Sequence, residues 1–305
     1  MDLIIYHNAC PDGWAAAFIC LMKYPNAELL PLNHGLNESQ LSEVFERAFQ
    51  KDVIMVDYSL RTRELNDQLD RVAKSFRILD HHKTAEAALA GADYATFDMA
   101  RSGAGLAWDY LFGKGSDLPE TGTNPGWGGI VKGLFRPWWV DYTEDRDLWN
   151  WNLPDSKEVN AFLMVSPRDP DGWYEEVCKT PIQDAKEKGR GVLQYIDYYV
   201  RSVIAEVQEG VLEFEGRNYR TGVLNIPYVG VSDACGALVE KGFEIGLAWF
   251  ERGDGVTQFS LRSVGDTDVS AIAKSFKGGG HKNAAGFQVS TEHARVIIDK
   301  ILGRK

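Results

Sequence analysis

Short apolar runs ending in polar, chemistry-bearing residues recur along the first hundred positions. Leu3-Ile4-Ile5-Tyr6 leads into His7-Asn8-Ala9-Cys10-Pro11-Asp12-Gly13, Val53-Ile54-Met55-Val56 leads into Asp57, and Ile78-Leu79 leads into Asp80-His81-His82-Lys83-Thr84. Each run has the length of a strand. Between them the spacing predicts a helix over 14–24, opened by Pro11 with Asp12 in its first turn. A strand over 28–32 follows, then a helix that Asn37 and Gln40 can cap and that carries Leu41, Val44, Phe45 and Phe49 on one face. A polar helix over 63–74 and a strand near 94–97 complete the series. Such alternation predicts a parallel sheet with helices on both faces.

Ser102 is placed to cap a further helix with small residues on one side, ended by Gly113. Residues 113–128 have no periodicity and read as an exposed loop. After them, 138–149 packs four acids among aromatics, and helical patterns continue to about 208. The last third changes character. Strands near 211–214, 219–224, 245–250, 257–262 and 285–289, helices near 232–241 and 269–276, a Gly278-Gly279-Gly280-His281 turn and a terminal helix make a second unit. The expected fold class is α/β, with a parallel-sheet domain over 1–182, a connecting helix over 183–210 and a smaller α/β domain over 211–305. An active-site cleft is expected between the two domains.

A length of 305 residues accommodates two such domains. No run approaches the ~18 apolar residues of a membrane span, and the first residues enter a strand rather than a cleavable leader, so a cytoplasmic address away from membranes is expected. The four cysteines form no CxxC pair, which leaves neither a zinc knuckle nor a disulfide framework. A net charge of −11 argues against long duplex nucleic acid, whose binding needs a basic track that releases counterions. A phosphate ligand would have to be short and held locally.

If the three runs lie parallel, their terminal His and Asp residues converge, because open α/β sheets place their sites beyond the carboxyl ends of the strands. Alone, a His or Asp at a strand end is more often a cap or a hydrogen-bonded loop residue. Together they suit divalent metal, and without thiolate pairs they favour Mn²⁺ or Mg²⁺ over structural zinc. Paired ions about 3.5–4 Å apart can hold a bridging water and neutralise a phosphoryl group. One carboxylate must bridge them, and Asp57 is the choice.

These residues resemble the DHH phosphoesterases. Asp80-His81-His82 looks like the motif that names the family, His7 to Gly13 like its first motif, Asp57 like its second and Asp145-Arg146-Asp147 like its fourth. Ser102-Gly103-Ala104 is similar to a further shared stretch. Leu261-Arg262-Ser263, Asp268 to Ala273 and Gly278 to Phe287 look like the DHH-associated domain, so the resemblance spans almost the whole chain. It implies two divalent ions, Mn²⁺ first with Mg²⁺ or Co²⁺ as alternatives, held by His7, Asp12, Asp57, His81 and one acid of the fourth motif. Asp145 is favoured over Asp147 because it follows a run that reads as extended. His82 would contact the scissile phosphate, and Asp80 would orient an imidazole. Arg262, Ser263, His281 and the amides of Gly279 and Gly280 would hold the far phosphate or sugar. Cys10 departs from the pattern, since many members carry Asp there. It is either a small buried residue or a thiolate ligand that favours a softer metal.

The activity implied is hydrolysis of short oligonucleotides to mononucleotides, similar to the nanoRNases of this family. The alternatives are a phosphoesterase for small esters such as 3′-phosphoadenosine phosphate, a cyclic dinucleotide or polyphosphate, and a nucleotide-binding sensor without turnover. A homodimer is compatible with either. The acidic surface should repel the tail of a long strand. Dinucleotides to pentanucleotides are therefore expected to disappear faster than a strand of about 24 nucleotides, with His281→Ala narrowing the gap. A time course on labelled RNA of both lengths checks this, and equal rates would overturn it.

Overall fold

The computed structural model describes residues 1–8, 10–113 and 136–304, and the chain divides into two compact units, Met1–Leu193 and Gln194–Lys305. Apart from Gly113, the aperiodic stretch 113–128 lies outside the described residues.

The first unit runs β1 (Leu3–His7), α1 (Pro11–Lys23), β2 (Glu28–Leu32), α2 (Glu38–Ala48), β3 (Asp52–Val56), α3 (Arg63–Val72), β4 (Ser75–Asp80), α4 (Lys83–Ala88), β5 (Ala95–Phe97) and α5 (Gly103–Phe112). Then come α6 (Trp138–Asp147), α7 (Ser156–Val165), α8 (Pro170–Trp173), a π-helical turn (Tyr174–Cys178) and α9 (Ile182–Ile204), inside which the division between units falls. The five strands are all parallel in the order β2-β1-β3-β4-β5. The order reverses between β1 and β3, the place where a parallel sheet opens a crevice at its carboxyl edge.

Alternate residues of each strand enter different cores. Ile4, Tyr6, Ile54, Val56 and Leu79 pack with α1, α5 and α6, while Leu3, Ile5, Val53, Met55 and Ile78 pack with Val44 and Leu69 of α2 and α3. Helix α1 is buried from Asp12 to Met22, which explains why its apolar residues show no single stripe. Its start, Pro11-Asp12-Gly13-Trp14, recurs letter for letter as Pro170-Asp171-Gly172-Trp173 at α8. In both copies the preceding residue, Cys10 or Asp169, caps the helix by accepting from the glycine amide, and the two indoles meet edge to face at 6.3 Å.

The second unit runs β6 (Gln208–Phe214), β7 (Arg217–Asn225), α10 (Val231–Glu240), β8 (Ile245–Glu251), β9 (Val256–Ser263), α11 (Val269–Ser275), β10 (Gly279–His281), β11 (Ala284–Ser290) and α12 (Thr291–Leu302). Its six strands lie in the order β10-β11-β9-β8-β7-β6, antiparallel except for β7 against β8. Phe259, Phe287 and Phe276 stack at its centre. Two expectations are corrected. The glycine run is a short strand rather than a turn, because a Cβ at Gly278 or Gly280 would strike the carbonyl oxygen of Gly286 or Ala284 at 2.2 or 2.5 Å. The stretch before Asp145 is helical throughout, not extended. Among the described residues no helix is long and apolar enough to cross a membrane.

The segment that carries Asp57 out of β3 is fixed from α3. Buried Asn66 accepts from the Leu60 amide at 3.2 Å and donates to the carbonyls of Leu60 and Thr62, both at 2.8 Å. Asn66→Ala leaves a buried amide and two carbonyls without these partners, so urea unfolding is expected to show a loss of about 1–3 kcal/mol; an unchanged midpoint would count against this anchoring.

Candidate metal centre

The carboxyl edge of the parallel sheet gathers the predicted residues. His7 closes β1, Asp57 follows β3 with a left-handed φ of 51°, and Asp80 closes β4. An Asp tolerates that conformation better than most residues. His81 Nε2 lies 3.1 Å from Asp57 Oδ1, 3.4 Å from Asp147 Oδ2 and 3.6 Å from Asp12 Oδ2. His7 Nδ1 and the Cys10 thiol approach the other oxygen of Asp57, at 3.5 and 3.4 Å. Asp57 therefore stands in three donor groups, His7-Cys10-Asp57, Asp12-Asp57-His81 and Asp57-Asp80-His82, each with ligand atoms within 4.8 Å of one another.

Helix α5 supplies the opposite wall. Asp12 accepts from the amides of Gly103 at 2.6 Å and Ala104 at 3.0 Å, while Ser102 Oγ accepts from Gly105. These amides have no partner within their own helix, and a carboxylate there is stabilised by the helix dipole. Gly103 has to be glycine, because a Cβ would lie 2.5 Å from the Asp57 Cβ and 2.9 Å from Asp12 Oδ2. Glu144 of α6 holds the same end of α5 through the Ser102 amide, and Arg101 and Arg136 in turn bind Glu144.

Charge in the cluster is unevenly distributed. Burial, then the neighbouring Asp147 and Asp57, push the Asp12 carboxyl well up. Burial and Asp57 likewise raise Asp147, against the pull of His81. Burial opposes the charge on Asp57, yet hydrogen bonds from His7 and His81 hold it well below the usual range. Three acids and two imidazoles crowded this way have the composition of a divalent-cation site, and Asp147 Oδ2 is buried with no hydrogen-bond partner among the described residues. The donors fit a metal.

The two histidines of Asp80-His81-His82 diverge, one into the acid cluster and the other onto Asp80. The Asp80 Oδ1 atom accepts from His82 Nδ1 at 2.7 Å and from the His81 and His82 amides, and Ser59 donates to Oδ2. Burial works against both charges of the pair. Their mutual attraction prevails, holding Asp80 at about 2 and raising His82 to about 9. Ser59 and His34 carry no prediction from the sequence. The His34 ring lies 4.8 Å from that of His7, stacks on Tyr58 at 5.2 Å and stands 6.3 Å from His82. Its position two residues beyond β2 repeats the pattern of a strand running into an imidazole, and was the available signal.

In the second unit, β9, β11 and β10 put Arg262, Ala284 and His281 on one rung, so Arg262 and His281 share a face of the sheet. Gly279 and Gly280 precede His281 on β10. Arg262 donates to the Leu261 carbonyl and to Ser232 Oγ. Ser263 points to the opposite face and is buried, donating to the Thr267 carbonyl and accepting from Asn283. Its expected substrate contact is corrected to a structural role, since adjacent strand residues cannot face the same ligand.

Residues 231–303 match the DHHA1 domain. The chain is 26% identical to uncharacterized protein R106 of Acanthamoeba polyphaga mimivirus over 99% of its length and 70% of that protein's. Among solved structures, RecJ of Thermus thermophilus in complex with Mn²⁺ shares the fold at 14% identity and a TM-score of 0.54; the match covers 99% of this chain and 51% of RecJ. An uncharacterized protein of Helicobacter pylori G27 is 14% identical over 99% of this chain and 98% of its own, with a TM-score of 0.40. The chain thus carries a DHHA1 domain and shares its fold with RecJ.

The segment that resembles the fourth DHH motif, Asp145-Arg146-Asp147, is where the structure reverses the sequence reading. Asp145 and Asp147 are two residues apart on a helix, so they point roughly 200° apart. Asp147 meets His81, whereas Asp145 is turned the other way and caps the loop after α6, accepting from the Asn152 and Leu153 amides and from Ser156 Oγ. Cys10, the departure from the DHH pattern, is the N-cap of α1; burial and the carboxylates of Asp57, Asp12 and Asp147 push its thiol well up. Asp147→Asn is expected to weaken Mn²⁺ binding roughly ten-fold or more in calorimetry with unchanged melting. Asp145→Asn should lower the melting temperature and leave the Mn²⁺ affinity in place. The converse pair of results would return the ligand role to Asp145.

Proposed function

We propose that the chain is a metal-dependent phosphodiesterase that hydrolyses short oligonucleotides to mononucleotides. The observation that carries this reading is the convergence of Asp12, Asp57, His81 and Asp147 beside an imidazole that Asp80 keeps charged. His7 with Asp57, and Asp12, Asp57, His81 and Asp147 together, would hold two divalent ions that share Asp57. Such ions supply a nucleophile of lowered pKa and neutralise the phosphoryl oxygens. RecJ, whose fold is shared, was solved with Mn²⁺, which supports that choice of ion.

The remaining steps belong to the protein's own side chains. His82, tied to Asp80 through Nδ1, is the group for a phosphate oxygen, and a pKa raised to about 9 keeps the ring cationic at neutral pH. A charge-assisted donor of this kind binds developing negative charge better than a neutral ring would. Asp12 is held by backbone amides and Asp80 by Ser59, so the acids are oriented before substrate arrives. Arg262 and His281, on one rung of the second sheet, are the groups for a second phosphate or sugar. The net charge of −11 favours a short substrate over a long one.

Purified protein with Mn²⁺ is expected to cleave a 5′-phosphorylated dinucleotide and to lose that activity on chelation. Asp57→Ala and His81→Ala should each reduce turnover on the order of 100-fold or more with the circular dichroism spectrum unchanged. Full activity after exhaustive chelation would overturn the metal requirement. Turnover of 3′-phosphoadenosine phosphate without cleavage of dinucleotides would transfer the reading to small phosphate esters, and nucleotide binding without any turnover would make the chain a sensor.

A further inference from the structure

The loop after α6 is built around two tryptophans in a conformation that tryptophan avoids. Trp149 and Trp151 have left-handed φ values of 58° and 54°. For a bulky side chain this is a true outlier, and such outliers persist only where the surroundings over-determine them. Here the surroundings are the two oxygens of one carboxylate and two carbonyls. The Asp145 carbonyl accepts from the Asn150 and Trp151 amides, while its buried carboxylate accepts from Asn152, Leu153 and Ser156. The Trp149 amide is held by the Arg146 carbonyl at 2.9 Å. The indoles meet edge to face at 5.1 Å, with Lys157 over the Trp151 ring. Trp149 nevertheless remains 49% exposed.

A purely structural turn would use glycine or asparagine at these positions, which adopt the left-handed conformation at less cost and expose no indole. The fold instead holds an exposed aromatic ring two residues after Asp147, the acid that meets His81. We propose that Trp149, steadied by Trp151, is a stacking platform for the nucleobase of the nucleotide whose phosphate lies at the acid cluster. The assignment rests on the phosphodiesterase reading and adds what that reading lacks, a contact that distinguishes a nucleotide from any other small phosphate ester. Every base offers a π face, so the platform accepts bases of any identity and gives no sequence preference. The task of Asp145 is then to hold the platform.

The test compares adenosine monophosphate with ribose 5-phosphate, which differ only by the base, using the full chain with Mn²⁺. Calorimetry is expected to give about ten-fold tighter binding of adenosine monophosphate, accompanied by quenching of tryptophan fluorescence that ribose 5-phosphate does not produce. Trp149→Leu should abolish both the affinity difference and most of the quenching, while Trp149→Phe, which keeps an aromatic face, should retain most of the affinity difference. Melting curves of both variants confirm the fold, and the Phe variant keeps the test valid if the Leu variant loses stability. Equal binding of the two ligands by the wild type, or an affinity difference that survives Trp149→Leu, would overturn the platform. If no phosphodiester is cleaved but the base-dependent affinity is present and lost in Trp149→Leu, the platform stands and the hydrolytic reading falls; cleavage with no base dependence leaves the hydrolytic reading standing and removes the platform.

Discussion

The carboxylate of Asp12, second residue of one helix, receives the first two amides of another helix 91 positions further along the chain, and the rest of the first unit is arranged so that this contact can form. It needs Gly103, because any side chain there would enter the space of Asp57 and Asp12. It needs Gly13 as well, where a Cβ would lie 2.0 Å from the His7 carbonyl oxygen. The dipole and amides of α5 favour a charged Asp12, while burial and two neighbouring acids oppose it, and the opposition wins. The fold thus holds together acids that resist being charged at the same time. A bound cation would relieve that opposition, which would tie metal affinity to the packing of α1 against α5.

Strand-end residues were legible in the sequence because a parallel sheet converts an apolar run followed by His or Asp into a position in space. His7, Asp12, Asp57 and His81 meet for that reason. The pairing of His82 with Asp80 follows the same logic, with alternation sending the neighbouring imidazole elsewhere. What the sequence hid depends on rotation about a helix. Asp145 and Asp147 exchange roles when the segment is helical instead of extended, and nothing in Trp138-Trp139-Val140-Asp141 distinguishes the two, since aromatic residues suit either. His34 carries no strand-end mark because it stands two residues past the end of its strand, whereas His7, Asp57 and Asp80 close or directly follow theirs. Ser263 illustrates the reverse error: adjacency to Arg262 in sequence places it on the opposite face of β9.

The second unit uses glycine for closeness rather than mobility. Gly278 and Gly280 lie against the backbone of β11, and this lets β10 pair as an edge strand and carries His281 into register with Arg262. A run that reads as a turn is therefore a paired edge strand.

The duplicated Pro-Asp-Gly-Trp start separates grammar from meaning. In both copies the four residues do the same local work, seating a helix with proline first, a capped glycine amide and an indole turned into a shared core. One aspartate is nearly sealed among acids and imidazoles, while its twin, Asp171, faces water. What precedes them differs: strand β1 of the parallel sheet in one case, the segment that follows α7 in the other. Letters alone cannot assign a ligand in this protein, because the same word is spelled at two addresses and only one of them opens onto the crevice.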